Sequence, residues 1–283
     1  MYRTRPGLFR RDLHKGTWRK VFLYSGGAVV AACLMLFVIL PAMANTLALI
    51  IPVEREIAFG KVVTSQMERI LGHADKKSLR CEDPAGRAAL DTMLARLAKN
   101  QEMDYQISAQ VFDHGMINAF AAPGGQVVIL RGLLDKAQGP DEVAGVLAHE
   151  IGHVESRDAT RHALRTAGSA GLLSMLIGDF TGGAAIALVG EHLMTAAYTR
   201  DAEAAADLFA LDMLKAANVN ATGFARFFDE LDGLQGFEIP AYLSSHPVTA
   251  ERAEQARGFA QSQSGTRPIL SDVEWQALRN ICQ

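Results

Sequence analysis

Apolar and polar positions divide the chain into a short basic start, a long uncharged run and a mixed region dominated by helical periodicity. No charged residue occurs between Val21 and Val53. About twenty apolar residues cross a bilayer as a helix, so Val21 to Leu40 suffices, with Pro41 as the expected stop. Beyond Glu54, Asp83-Pro84 reads as an N-cap followed by a first-turn proline, and Ala88, Leu90, Met93, Leu94 and Leu97 continue at helical spacing. The period then shortens. Ile107 to Phe112, Ile117 to Ala121 and Gln126 to Leu130 read as three strands, the last two joined at Pro123-Gly124-Gly125. Leu133 and Leu134 begin a short helix. The next one runs from Asp141 to at least Glu155, opened by Gly139-Pro140, with Val143, Val146, Leu147, Ile151 and Val154 as its buried stripe. Asp141 and Glu142 complement its dipole. Further helices are expected from Thr195 to Ala217 and from Val248 to Gln261. The capping box Ser271-Asp272-Val273-Glu274 opens a last short helix that carries Trp275, Leu278 and Ile281. The expected class is α+β, mainly helical, with a small antiparallel sheet beside the helix of residues 141–155 and one N-terminal transmembrane helix.

Charge fixes the expected topology. Arg3, Arg5, Arg10, Arg11, Lys15, Arg19 and Lys20 precede the apolar run against a single acid, Asp12. Such a flank stays in the cytosol, which places everything after Glu54 across the membrane. The division expected is a basic cytosolic arm (1–20), an anchor (21–44) and a soluble domain (54–283). Ala42-Met43-Ala44 also matches a signal-peptidase pattern, so a cleaved, periplasmic form is the alternative, and a mitochondrial presequence leading to the inner membrane is another. With 283 residues and a net charge of −3, the chain has ample core for one domain and no electrostatic basis for binding nucleic acid. Cys33 lies inside the span. Cys81 and Cys282 fall in the exported part, where either a bridge between the two ends of the domain or two free thiols is open. Oligomeric state is not legible.

Chemistry centres on His149-Glu150-Ile151-Gly152-His153. On a helix the two histidines project from one face, roughly 6 Å apart along the axis, and can share one metal. Glu150 is rotated about 100° away, so it can address an attacking water without ligating. Glu203 follows among small alanines that allow close helix approach, with Asp207 one turn further on the same face. Glu203 would complete a His-His-Glu zinc site with an open fourth position, and Asp207 would accept the free ring N–H of a liganding histidine. Pro247 holds His246 in extended geometry at a loop end, with Arg252 about one turn into the next helix. Asn118-Ala119-Phe120-Ala121 reads as an edge strand that offers backbone groups to an extended peptide. Residues 167–190 are apolar and glycine-rich, with Asp179 the only charge. They read as a helical hairpin or lid, with a second membrane span or core packing as alternatives. His14, His73, His114, His162 and His192 lack partner spacing and are expected at the surface.

Taken together, Asn118-Ala-Phe-Ala with Pro123-Gly-Gly, His149-Glu-Ile-Gly-His153, Tyr198-x-Arg200-x-x-Glu203-x-x-x-Asp207, and Ser245-His246-Pro247 with Arg252 resemble the gluzincin peptidases of family 48. That family includes the HtpX-like and BepA-like enzymes and the CAAX prenyl endopeptidases. The resemblance runs from about residue 84 to 260 and implies a gluzincin-type domain, zinc-dependent endopeptidase activity, Glu203 as third ligand and His246 near the metal. A single N-terminal span departs from the HtpX-like pattern and looks closer to singly anchored or exported members acting on envelope proteins. Glu150 would serve as general base, and His246 either as oxyanion donor or as an inhibitory ligand of a resting state. Tyr198, Arg200, Arg252, Asn118 and Phe120 are further candidates for contacts to the transition state or substrate. The expected partners are unfolded or misassembled polypeptides bound as extended strands, and the membrane. A chaperone-like assembly factor using the same groove is the rival. A purely structural zinc module is disfavoured, because four closed ligands would leave Glu150 without a purpose.

Overall fold

The computed structural model describes residues 13–72, 78–99, 101–177, 198–232, 241–247 and 250–283. Its first feature is one continuous helical rod, built from α1 (Leu13–Leu34), a π-helical turn (Met35–Ile39) and α2 (Leu40–Ile50). Pro41 does not stop it, contrary to expectation. Proline removes an N–H and crowds the preceding turn, but here it lies in the first turn of α2, directly after a widened turn in which the Leu40 N–H donates to the Met35 carbonyl. Trp18–Ile50 is long and apolar enough to cross a membrane, and its side chains are exposed as far as Ile39.

Burial begins where the rod meets the rest of the protein. Ala44 and Ala48 turn inward against α7 (Asp158–Ile177), which runs antiparallel to α2. Arg165 Nη2 donates to Asn45 Oδ1 at 2.8 Å, and the Arg157 guanidinium donates to the Ala48 carbonyl. The helical start of the apolar stretch 167–190 therefore belongs to α7, while residues 178–197 lie outside the described part. After Pro52, α3 (Val53–Leu71) buries Val63, Met67 and Leu71 in the core. Asp83 caps α4 (Pro84–Ala98) by accepting from the Ala85 and Gly86 N–H groups, as the sequence implies.

Strands β1 (Ser108–Phe112), β2 (Ala119–Ala122) and β3 (Gln126–Leu130) form a sheet in the order β1-β3-β2. β2 and β3 pair antiparallel across the tight turn, with Ala119 opposite Ile129, whereas β1 and β3 pair parallel, with Ser108 opposite Gln126. The sheet is thus mixed, a correction to the antiparallel one expected. The segment after β1 crosses over instead of turning back, and β3 returns between the other two. The turn needs its glycines. Gly124 and Gly125 have φ of +70° and +79°, and a Cβ on Gly124 would sit 2.4 Å from the Ile57 backbone of α3.

From α5 (Arg131–Lys136) the chain enters α6 (Pro140–Glu155), whose residues from Glu142 to Val154 are all buried. Around α6 pack β2, β3, α7, α8 (Arg200–Ala216) and α9 (Thr222–Asp232). The short α10 (Ala241–Ser245) precedes His246, and α11 (Ala250–Gln261) packs on α9. α12 (Asp272–Arg279), opened by the Ser271–Glu274 capping box, packs on α4, and a Cys81–Cys282 disulfide joins segments 201 residues apart.

Candidate metal centre

The last two turns of α6 carry His149, Glu150 and His153, all fully buried. α8 lies close because position 152 is glycine: a Cβ there would come within 3.0 Å of the Ala206 Cα. That approach brings Glu203, in the first turn of α8, against both histidines. Thr199 caps α8 by accepting from the Ala202 N–H, so the helix starts at Arg200; Tyr198 and Thr199 precede it, and residues 195–197 lie outside the described part. His246 comes from the opposite side. Its N–H donates to the Tyr242 carbonyl at 2.7 Å, and the Tyr242 ring stacks on its imidazole with centroids 4.6 Å apart.

Four side chains therefore converge. His149 Nε2 lies 3.1 Å from His153 Nε2, 3.2 Å from His246 Nδ1 and 3.5 Å from Glu203 Oε2. Glu203 Oε1 lies 3.0 Å from His246 Nδ1 and 3.4 Å from His153 Nε2. One donor atom from each of the four residues falls within 4.8 Å of all the others. A tetrahedral ion with bonds of about 2.0–2.1 Å to nitrogen and oxygen sets its donors about 3.3 Å apart, so these spacings fit zinc. Three imidazole nitrogens and a carboxylate packed this closely out of water form a donor set that a cation would satisfy.

The next layer of contacts repeats itself. His149 Nδ1 faces Asp207 Oδ1 at 2.9 Å, and Arg252 grips Asp207 with Nε at 2.6 Å and Nη2 at 2.8 Å. Arg252 Nη1 also reaches Glu203 Oε2 at 2.7 Å. On the other side, His153 Nδ1 lies 3.0 Å from Asp158 Oδ2, and Arg161 Nη1 donates to Asp158 Oδ1 at 3.2 Å. Asp158 is the residue the sequence did not announce. It reaches His153 because Arg157 adopts φ of +53°, a left-handed turn uncommon for a side-chain-bearing residue, which folds the start of α7 back under the end of α6.

Electrostatics differ among the four donors. Burial lowers His149 and His246, the first against the pull of Asp207 and the second against that of Glu203. Burial would also lower His153, but Asp158 and Glu203 outweigh it and raise the imidazole to about 9, so a bound cation displaces a proton there. For Glu203 burial acts upward, yet hydrogen bonds from His153 and His246 hold the carboxyl far below its ordinary range. Glu150 is different. Chiefly burial pushes it up to about 7, against the two histidines and the Ala121 backbone N–H that faces it from β2. Its Oε1 lies 3.4 Å from His246 Nε2.

The remaining expected contacts separate. Tyr198 stacks on His153, ring centroids 4.0 Å apart, and its N–H donates to the Ser245 carbonyl. Arg252 is buried, holds both acids and lies over the Phe228 ring, so it is a partner of the site's carboxylates. Arg200 is exposed at the start of α8 and makes no contact with the cluster among the described residues. β2 occupies the sheet edge, yet Phe120 and its neighbours are buried, as is Asn118 just before it. His114 and His162 are half-buried, not surface residues. His162 packs edge-on against Tyr198, while His73 and His192 lie outside the described part.

The sequence pattern of Peptidase family M48 matches residues 84–260. The chain is 32% identical over 181 residues to Metalloprotease YcaL of Escherichia coli (strain K12), a match covering 58% of this chain and 67% of that protein. It is 28% identical over 178 residues to Metalloprotease LoiP of the same organism, covering 59% of this chain and 68% of the relative. With the Beta-barrel assembly-enhancing protease of Yersinia pestis it shares 24% identity over 265 residues, 89% of this chain but 53% of that one.

Proposed function

The chain belongs to peptidase family M48 and is a metalloendopeptidase, and from that premise we propose that it uses zinc held by His149, His153 and Glu203 to cut unfolded or misassembled envelope proteins. The convergence of these buried donors, with the Glu150 carboxylate alongside, carries the proposal. Zinc, when bound, polarises the scissile carbonyl and lowers the pKa of the attacking water. Glu150 takes the water's proton and passes it to the leaving amine, a task suited to a carboxyl poised at about 7. Asp207 and Asp158 hold the two histidine rings with Nε2 turned inward.

His246 gives this conformation its character. With Nδ1 inside the donor cluster it would take the fourth position around a bound ion, which catalysis needs for water. The burial of the whole site, β2 included, fits the same resting state. Withdrawal of His246 would open the position and leave the ring able to donate to the oxyanion. Substrates pair with the edge of β2, beside Glu150, so backbone more than side chain is read and specificity is broad. One relative's name, a beta-barrel assembly-enhancing protease, supports envelope proteins as the class.

Glu150→Gln tests the mechanism. It should keep metal and fold but lower peptide hydrolysis by roughly 10² or more. Near-wild-type hydrolysis would remove Glu150 from its role, and full complementation of a deletion strain by the inactive variant would favour a chaperone-like assembly factor.

We also place the domain on the periplasmic side of the inner membrane, because seven basic residues precede the apolar helix and a disulfide lies beyond it. The anchor is retained in this reading, since cleavage after Ala44 would separate Leu40 and Ala44 from α7. A reporter active only outside the cytosol, fused after Gln283, should be active. Activity of a cytosol-only reporter at that junction would reverse the orientation.

A further inference from the structure

A cavity of about 430 Å³ lies between the end of the anchor helix and the back of the metal centre. Asn45 and Leu49 of α2 line it, with Arg161 and Arg165 of α7 and Asp201 and Ala205 of α8. Asp158 and Tyr198, which touch His153 from behind, form its inner wall. Its depth relative to a membrane follows from the helix. The stretch from Trp18 to Asn45 is about 40 Å long at 1.5 Å per residue, close to the thickness of a bilayer with its headgroups. With Trp18 set at one headgroup layer, Asn45 falls at the other, and the cavity opens beside it.

The lining has the chemistry of a headgroup site. Arg161 and Arg165 are one turn apart on one face of α7, a spacing that lets two guanidinium groups approach one phosphate. Among the described residues Arg161 uses only Nη1, toward Asp158, and a guanidinium has five N–H donors. Asp201 is exposed across the cavity and offers a carboxylate to an ammonium group, while Leu49, one turn beyond Asn45 on α2, adds an apolar side chain to the lining.

We propose that this cavity binds the headgroup of a zwitterionic membrane phospholipid, its phosphate between Arg161 and Arg165 and its ammonium toward Asp201, and that occupancy is transmitted to His153 through Asp158. A phosphate that draws Arg161 toward itself frees Asp158 to hydrogen-bond His153 alone, which makes the imidazole a better ligand. Lipid binding requires only the cavity and its charges, whereas the link to His153 rests on the zinc centre described above.

The full chain, solubilised in dodecyl maltoside, is incubated with labelled phosphatidylethanolamine, and retained lipid is counted for wild type, Arg161→Gln and Ala205→Phe. The first variant removes a phosphate ligand; the second fills the cavity with all charges intact. Both are checked for the Cys81–Cys282 disulfide and for melting temperature. Wild type should retain lipid that both variants lose, and millimolar inorganic phosphate should not displace it. Equal retention by all three would mean lipid on the anchor alone, and displacement by phosphate would mean a free-anion site; either overturns the proposal. In a second readout, lipid should slow zinc loss to a chelator about fivefold in wild type and not in Arg161→Gln. Retained lipid without that slowing would overturn the coupling and keep the binding site. Absence of zinc from the protein would defeat the metal assignment and leave the lipid count readable.

Discussion

The two histidines of α6 are held in the same way and in different surroundings. His149 backs onto Asp207 and then Arg252; His153 backs onto Asp158 and then Arg161. The first chain ends inside the protein, where the Arg252 side chain is 9% exposed, spans two acids and covers the Phe228 ring. The second ends at the cavity wall, with the Arg161 side chain 31% exposed and, among the described residues, one acid to hold. Coulomb attraction is strong where water is excluded and weak where it is not. The same constellation is therefore a fixed brace on one side of the metal centre and an adjustable one on the side facing the cavity and α2.

The largest effect erases the comparison altogether. His149→Ala, His153→Ala and Glu203→Ala should each lose most of the metal bound by wild type, as read by elemental analysis. A Glu203→Ala protein that retains full zinc would show that His246 and the two histidines suffice and that the acid has another task.

Next comes the difference between the arginines. Arg252→Gln leaves Asp207 and Glu203 buried without their cation, a change that costs about 3–5 kcal/mol. Arg161→Gln removes one partly exposed pair and should cost about 1 kcal/mol or less. Thermal unfolding of the two variants should thus separate clearly. Equal melting temperatures would remove the distinction between brace and adjustable arm.

Much of this was legible in the sequence because it depends on local spacing. Period 3.6 with two histidines four apart defined α6, the absence of charge defined the long apolar helix, and Asp83-Pro84 and Ser271–Glu274 marked helix starts through their own side chains. What failed depends on tertiary geometry. The parallel pairing of β1 with β3 follows from a crossover, which alternation within strands does not encode. Pro41 passes through a helix because a π turn precedes it, and nothing in the neighbouring residues announces that turn. Arg252 was a candidate for substrate contact from its place after His246-Pro247, but only packing of α11 on α9 turns it inward onto Asp207 and Glu203. Asp158 was missed for a similar reason. Its reach to His153 depends on one left-handed residue, Arg157.

The smallest effect is the most discriminating. Asp207→Asn and Asp158→Asn are the same chemical change on the two arms, each keeping an oxygen that can accept the ring N–H while losing the negative charge. Changes of this kind cost metal affinity by roughly 10 to 100-fold. Asp207→Asn should lie near the upper end, because it also strands Arg252 beside Glu203 in a buried site. Asp158→Asn should lie near the lower end, because Arg161 can turn to water when its acid is gone. Competition with a chelator of known zinc affinity reads both. If Asp158→Asn proves the costlier of the two, the cavity-facing arm holds the metal more firmly than the buried one, and solvent exposure is not what sets the strength of these chains.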